Sequence, residues 1–200
     1  MTTPDPFLWV LAGPNGAGKT TYYERKIRPV LKAEFVNADI LARQRWPAAA
    51  ERHTAEAAKL ADERRLELTA ARRSFVAETV FSHPSKLDLL RRAKDQGYVV
   101  WLTFIYLESA ELAIARVRER TERGGHDVPA DRIRGRYARL PEMVRAAVRL
   151  VDRAFIVDNS YLDRALRDVV VFERGQITYV VEDPPKWTRR IFPKIASRPE

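Results

Sequence analysis

Short apolar runs alternate along the chain with longer stretches whose apolar residues recur every three or four positions. The runs at 7–13, 34–39, 74–81, 98–107 and 154–159 are rich in β-branched and aromatic residues and read as strands. The stretches at 20–32, 49–73, 85–96, 110–123 and 131–151 carry helical spacing. Strands that alternate with helices predict a parallel sheet covered on both faces. The run "YVVWLTFIYL" is almost continuously apolar, as a strand buried on both sides should be. Ser85, with Asp88 three residues on, reads as a capping box, and Gly97 as that helix's stop. Beyond Asn159, "DVVVFERGQITYVVED" reads as two strands turning at Gly175, a hairpin near the sheet edge. The tail "PPKWTRRIFPKIASRPE" is proline-rich and basic and reads as a surface segment with disordered last residues. The expected fold is α/β, a doubly wound, mainly parallel five-stranded sheet with a helical lid and a C-terminal hairpin. No repeat or linker divides the chain. One domain is expected over 1–200, with its core at 7–160 and the hairpin and tail at 161–200.

The segment "LAGPNGAGKTT" narrows this to a P-loop NTPase fold. Gly13, Pro14, Asn15, Gly16, Ala17, Gly18, Lys19 and Thr20 fit the pattern G-x-x-x-x-G-K-[ST], with Thr21 following. The pattern has a mechanism: glycines let backbone N–H groups wrap phosphates, lysine reaches the outer phosphates, and the hydroxyl sits on Mg²⁺. An apolar strand precedes the loop and a helical stretch follows, the context the motif requires. The cofactors implied are ATP and Mg²⁺, with Thr20 as the metal-facing hydroxyl.

Composition adds bounds. The chain has 200 residues, 46% hydrophobic, enough for a core of ordinary size. It has no cysteine, which excludes disulfides and cysteine metal sites and suits a reducing compartment. The N-terminal apolar run leads into the P-loop and reads as a core strand, not a signal peptide. No apolar stretch approaches the roughly 20 residues of a membrane span. A cytoplasmic protein without a membrane partner is expected. The net charge of +9 admits phosphate-rich small molecules or nucleic acid. Arginines crowd 116–153 without interleaved aromatics, so the stacking platform of a single-strand binder is missing, and small molecules are favoured.

Ligands of open α/β sheets bind beyond the carboxyl ends of the strands. Asp39 ends the second strand. Glu78 and Thr79 end the third, with Ser82 and His83 just beyond. Asp158 and Asn159 end the fifth. Asp39 and Glu78 can orient an acceptor hydroxyl, take its proton or hold Mg²⁺ through water. The alternative for Asp39 is a helix cap. Glu78 lies within an apolar strand, where a carboxylate needs a partner. Arg116, Arg120 and Arg123 share one helix face, Gly124–Gly125 breaks that helix, and Arg134 and Arg136 flank the apolar stripe of the next. Arginines on two helices around a glycine break have the form of a lid that meets a transferring phosphoryl group. The alternative is a surface hairpin with ordinary ion pairs such as Glu119–Arg123.

Read together, "AGPNGAGKTT", "FVNAD", "FVAETVFS", "RVRERTERGGHDVPADRIRGRY" and "VDNS" resemble the zeta toxin family of P-loop kinases, over most of 7–160. The resemblance implies that Lys19 and Thr20 hold ATP and Mg²⁺. It makes Asp39 the catalytic acid toward a sugar hydroxyl, and Glu78, with Thr79, the substrate-binding pair. It makes Arg120, with Arg136 or Arg134, the phosphate-facing lid arginines, and sets Asn159 near the base of ATP. It further implies phosphorylation of a nucleotide sugar such as UDP-N-acetylglucosamine, and an antitoxin protein as partner. Three positions depart from the family: Val80 after Glu78-Thr79, Gly135 between the paired arginines, and Leu140-Pro141 later in that helix. These bear on the acceptor more than on the ATP site. Two other readings stand beside this one: a nucleic-acid-binding or nucleic-acid-end P-loop ATPase or kinase, and a non-catalytic ATP-binding switch. The loop also resembles that of ABC transporter ATPases, but their Leu-Ser-Gly-Gly-Gln signature is missing.

Overall fold

The computed structural model describes residues 5–161 and 166–197. Its centre is a sheet ordered β2-β3-β1-β4-β5-β6-β7. The strands are β1 (Phe7–Ala12), β2 (Glu34–Val36), β3 (Phe75–Thr79), β4 (Val99–Tyr106), β5 (Arg153–Asp158), β6 (Arg167–Glu173) and β7 (Gln176–Val180). The five strands read from the sequence are all parallel. The sheet nonetheless has seven strands rather than five. The hairpin β6–β7 pairs antiparallel onto β5 and continues the same sheet, because β5 would otherwise leave its outer N–H and C=O groups unpaired. Gly175, at φ +77°, makes the turn.

Alternation along β1 divides the core. Leu8, Val10 and Ala12 face one side with α3 (Thr54–Ala70), α4 (Ser85–Asp95) and most of α6 (Ala130–Val148). Leu11 faces the other with α1 (Lys19–Tyr22), α5 (Ala110–Glu122) and Ile133 at the start of α6. The inner parallel strands β1, β3 and β4 are thus covered on both faces, as their apolar runs require, while β2 at the edge buries only Val36.

Several boundaries differ from the sequence expectation. The helix after the P-loop is one α turn that widens into a π segment at Tyr23–Ile27, where Arg28 N donates to Tyr23 O at 2.9 Å. The long helix expected at 49–73 begins with a 3₁₀ turn, Ala50–His53. An eight-residue helix, α2 (Ala38–Arg45), follows β2. Ser85 is the first residue of α4 and makes no side-chain cap; its N–H donates instead to His83 Nδ1 at 3.2 Å. The two arginine-bearing helices are not a free lid. Val117 of α5 and Ile133, Leu140 and Val144 of α6 are buried in the core, which leaves the connecting turn to overhang the site.

The basic tail is also corrected. Residues Lys186–Ile191 form α7, which buries Trp187, Thr188 and Ile191, followed by buried Phe192 and Ile195. The Trp187 ring lies 4.3 Å from that of Tyr106 in β4, and Phe192 lies 5.0 Å from Phe172 in β6. Apolar residues at 187, 191, 192 and 195 pack inward, Arg189 and Lys194 are exposed between them, and Arg190 Nη2 donates to the Tyr106 hydroxyl at 3.4 Å. The last residues, 198–200, lie outside the described residues. Among the described residues no helix is long and apolar enough to cross a membrane.

Candidate functional site

The P-loop joins β1 to α1 with three glycines at positive φ. Gly13 is the most constrained: a Cβ there would lie 2.2 Å from the Ile105 carbonyl oxygen of β4. Only glycine lets the loop pass so close to the neighbouring strand. Lys19 is buried and curls back over the loop, donating from Nζ to Gly13 O at 3.1 Å and Pro14 O at 2.9 Å. Its Nζ is also 3.9 Å from Glu78 Oε1. Burial pulls the Lys19 pKa below its ordinary value, against the raising influence of Glu78 and Asp39.

Glu78 is the hub. It stands in register with Leu11 of β1, one residue from the end of β3. Its Oε2 accepts from Thr20 Oγ1 at 2.9 Å and from Asn37 Nδ2 at 2.7 Å. Asn37 in turn accepts from Ile40 N at 3.0 Å, which makes it the N-cap of α2. The cap offered as an alternative role for Asp39 therefore belongs to Asn37. Asp39 sits exposed in the first turn of α2 and lines the cleft.

A cleft of about 630 Å³ opens beyond the carboxyl ends of β1, β2 and β3. Its walls include Asn15, Gly16, Lys19, Asp39, Glu78 and Thr79, with Arg120, Arg132 and Arg136 from the far side. Arg136 Nη1 donates to Asn15 Oδ1 of the P-loop at 3.3 Å. Arg120 donates from Nη2 to His126 O at 2.5 Å, and its buried Nε has no partner among the described residues. A second gap of about 880 Å³, sharing Asp39, Glu51, Thr54, Arg120 and His126 with the first, runs between α2 and the turn after α5.

Not every expected residue converges here. Arg134 faces away from the loop, within 3.4 Å of Glu111 and 3.2 Å of Asp131, because α6 turns positions 134 and 136 to different sides. Arg123 pairs with Glu119 at 2.7 Å on the surface, as the ion-pair alternative had it. Asn159 clasps the P-loop: Nδ2 donates to Ala17 O at 2.9 Å and Oδ1 accepts from Leu166 N at 3.2 Å. Each polar end of Asn159 thus has one partner within the protein, tying the P-loop to the residue before β6. Thr21 is exposed on α1. Thr79 Oγ1 accepts from Phe81 N at 3.3 Å, shaping the loop after β3. Two further residues of the site carry little signal in the sequence: Asn37 stands at the end of the second strand beside the more conspicuous Asp39, and Arg65 has the pattern of any helix-surface arginine.

A Mg²⁺ in a P-loop site takes a hydroxyl, phosphate oxygens and water. Among the described residues no group of three or more acidic or histidine side chains forms a metal cage. Thr20 Oγ1 beside the Glu78 carboxylate suits a cation that arrives with the phosphates.

The comparisons with known proteins agree with this fold. The structure of the AvrRxo1-ORF1:-ORF2 complex superposes with a TM-score of 0.70 at 21% identity, covering 94% of this chain and 63% of that one. The PezAT chromosomal toxin–antitoxin system of Streptococcus pneumoniae gives a TM-score of 0.62 at 16% identity, covering 98% of this chain and 86% of that one. At these identities the likeness is one of fold. In sequence, an uncharacterized Haemophilus influenzae protein is 32% identical over 63 residues, 32% of this chain and 45% of that protein. The match thus spans less than half of that relative. The zeta toxin family model matches residues 1–183, nearly the whole chain, and with the P-loop fold already described it means that this protein belongs to the zeta toxin family.

Proposed function

We propose that the protein is an ATP-dependent phosphotransferase that moves the γ-phosphate of ATP onto a hydroxyl of a small molecule, with a nucleotide sugar such as UDP-N-acetylglucosamine as acceptor. The observation that carries this reading is the pair of carboxylates, Asp39 and Glu78, at the mouth of the P-loop in a cleft walled by Arg120 and Arg136. A nucleotide switch needs one carboxylate there, for its metal, and has no use for a second that faces an acceptor. Membership of the zeta toxin family supports transfer, and ATP is present in a structure of the similar AvrRxo1-ORF1:-ORF2 complex.

The steps follow from the side chains. Lys19 exchanges the Gly13 and Pro14 carbonyls for the outer phosphates. Glu78 orients the acceptor. The acceptor oxygen bonds to the γ-phosphorus as the bond to the β-bridging oxygen breaks, ADP leaves, and the hydroxyl proton passes to Asp39 and then to water. Arg120 and Arg136 meet the charge spread over the moving phosphoryl group. A Mg²⁺ carried by ATP, facing Thr20, would neutralise charge on the β- and γ-oxygens. An antitoxin-type protein partner belongs to the same proposal, supported by the likeness to the PezAT toxin–antitoxin system.

The test is transfer from γ-labelled ATP to UDP-N-acetylglucosamine, with Lys19→Ala as control. Label on the sugar nucleotide, missing in the control, is expected. ATP binding without label on that acceptor removes it, and a nucleic-acid end, favoured by the net charge of +9, is the next acceptor to offer.

A further inference from the structure

Two features of α6 have no part in phosphate transfer: Gly135, one residue before Arg136, and Pro141 inside the helix. Both soften it. Glycine loses more backbone freedom than other residues on entering a helix, and proline brings no N–H, so the Tyr137 carbonyl gets no bond from residue 141. The turn that carries Arg136 is the weakest of the helix. Arg136 is itself loosely held. Its Nη1 donates to Asn15 Oδ1 at 3.3 Å, and no carboxylate pairs with it among the described residues. Burial, with the like charges of Arg132 and Arg139, pulls its pKa below the ordinary arginine value. Left to itself, this guanidinium would swing toward water.

One side chain pins the same turn. Tyr137 donates from its hydroxyl to the Leu107 carbonyl at 2.7 Å, just past the end of β4. The P-loop rests on that strand end as well, where Gly13 passes against the Ile105 carbonyl. Loop and helix take their positions from the same short stretch of chain. Tyr137 is also braced from behind. Its ring lies 5.6 Å from that of Tyr106, which is held in turn by Trp187 and Arg190 of α7, at 4.3 Å between rings and 3.4 Å from Nη2 to the hydroxyl. Burial, with the Tyr106 phenol adding to it, raises the Tyr137 pKa above the usual phenol range, so this donor keeps its proton.

Resting on the phosphotransferase reading above, we propose that Tyr137 is a positioning residue: its bond to the Leu107 carbonyl, backed by α7, holds the softened turn of α6 so that Arg136 meets the γ-phosphate over the P-loop. The C-terminal helix then supports the phosphate site, although none of its residues lines the cleft.

The experiment measures ATP and ADP binding by equilibrium titration, where the ratio of the two affinities reads the γ-phosphate contact without turnover. Arg136→Ala should lower that ratio about tenfold, the worth of one charge-assisted contact. Tyr137→Phe, which keeps the ring, should lower it about fivefold, and the double variant no further than Arg136→Ala alone. Gly135→Ala, whose new Cβ meets nothing nearer than Arg139 Nη1 at 4.0 Å, should return part of the ratio to Tyr137→Phe by stiffening the turn. Tyr98→Phe is the control for lost stability. That hydroxyl donates to the Leu68 carbonyl at 2.9 Å, beside the other end of β4, and its removal should lower Tm and leave the ratio alone. The positioning role is overturned by an unchanged ratio in Tyr137→Phe, an equal fall in Tyr98→Phe, additive losses in the double variant, or no rescue by Gly135→Ala. A wild-type ratio in Arg136→Ala overturns it too. The expected losses with no transfer from labelled ATP to any acceptor would keep the part of Tyr137 and remove the kinase assignment.

Discussion

At the scale of single residues, the proposed function divides the site between groups that would touch phosphate and groups that hold others in place. Asp39 is exposed at the start of α2 and makes no ion pair among the described residues, whereas Glu78 is 12% exposed and already holds Thr20 and Asn37. On the proposed reading Asp39 is the proton acceptor and Glu78 positions the acceptor hydroxyl. Asp39→Ala should lower kcat by roughly 10²–10⁴ while leaving ATP affinity near wild type. Steady-state kinetics with a parallel ATP titration checks this, and unchanged turnover would remove Asp39 from the chemistry. Lys19 makes a prediction in pH. Its pKa is lowered chiefly by burial. Between that lowered value and the ordinary 10.5 the unfolded chain binds more protons, so this group's contribution to stability rises with pH. ATP affinity runs the opposite way. Neutral lysine attracts phosphate less, so binding should weaken at a pH below 10.5 and take up a proton there. Calorimetry in buffers of differing ionisation enthalpy measures that uptake.

At the scale of elements, the fold fixes the site through close approaches and caps. Gly13→Ala forces a Cβ against the Ile105 carbonyl, so β1 and β4 must separate or the loop must reshape. A soluble Gly13→Ala protein should lose ATP binding together with stability, seen as a fall in Tm. The C-terminal segment gives the sharper test of the tail. Trp187 is 5% exposed against Tyr106, and Trp187→Ala should cost about 3–5 kcal/mol, measured by urea denaturation. A surface tail would lose almost nothing. The helical face of α7 was present in the order of residues, but three prolines and the basic residues between 184 and 194 hid it. The cap at Asn37 was hidden for another reason. An Asn-Ala-Asp triplet offers two capping side chains, and only the backbone direction leaving β2 selects the first.

At the scale of the whole molecule, the positive charge is not spread evenly. Arg65, Lys86, Arg120, Arg132 and Arg136 all line one cleft, while many of the remaining basic residues pair with acids on helix surfaces. Association with anionic ligands should weaken as salt rises, since exposed charges more than about 10 Å apart are screened at 0.1 M. The P-loop geometry should hold meanwhile. An acceptor KM that rises with salt while the melting temperature stays level would separate substrate attraction from stability.

Local chemistry made the P-loop, the β/α alternation and the acids at the strand ends legible from the order of residues. A phosphate loop needs glycines and lysine in fixed register, and a doubly covered strand needs an unbroken apolar run. Membership of the zeta toxin family was visible for the same reason, because its motifs are short and contiguous. The folded chain decided what depends on distance in space. It turned Arg136 toward Asn15 and Arg134 away, used Asn159 to clasp Ala17, joined the hairpin to the main sheet, and set Arg65 behind Glu78. The side-chain contacts among these join residues from 13 to 142 positions apart, and in each a backbone path or a shared partner settles which of several similar side chains arrives.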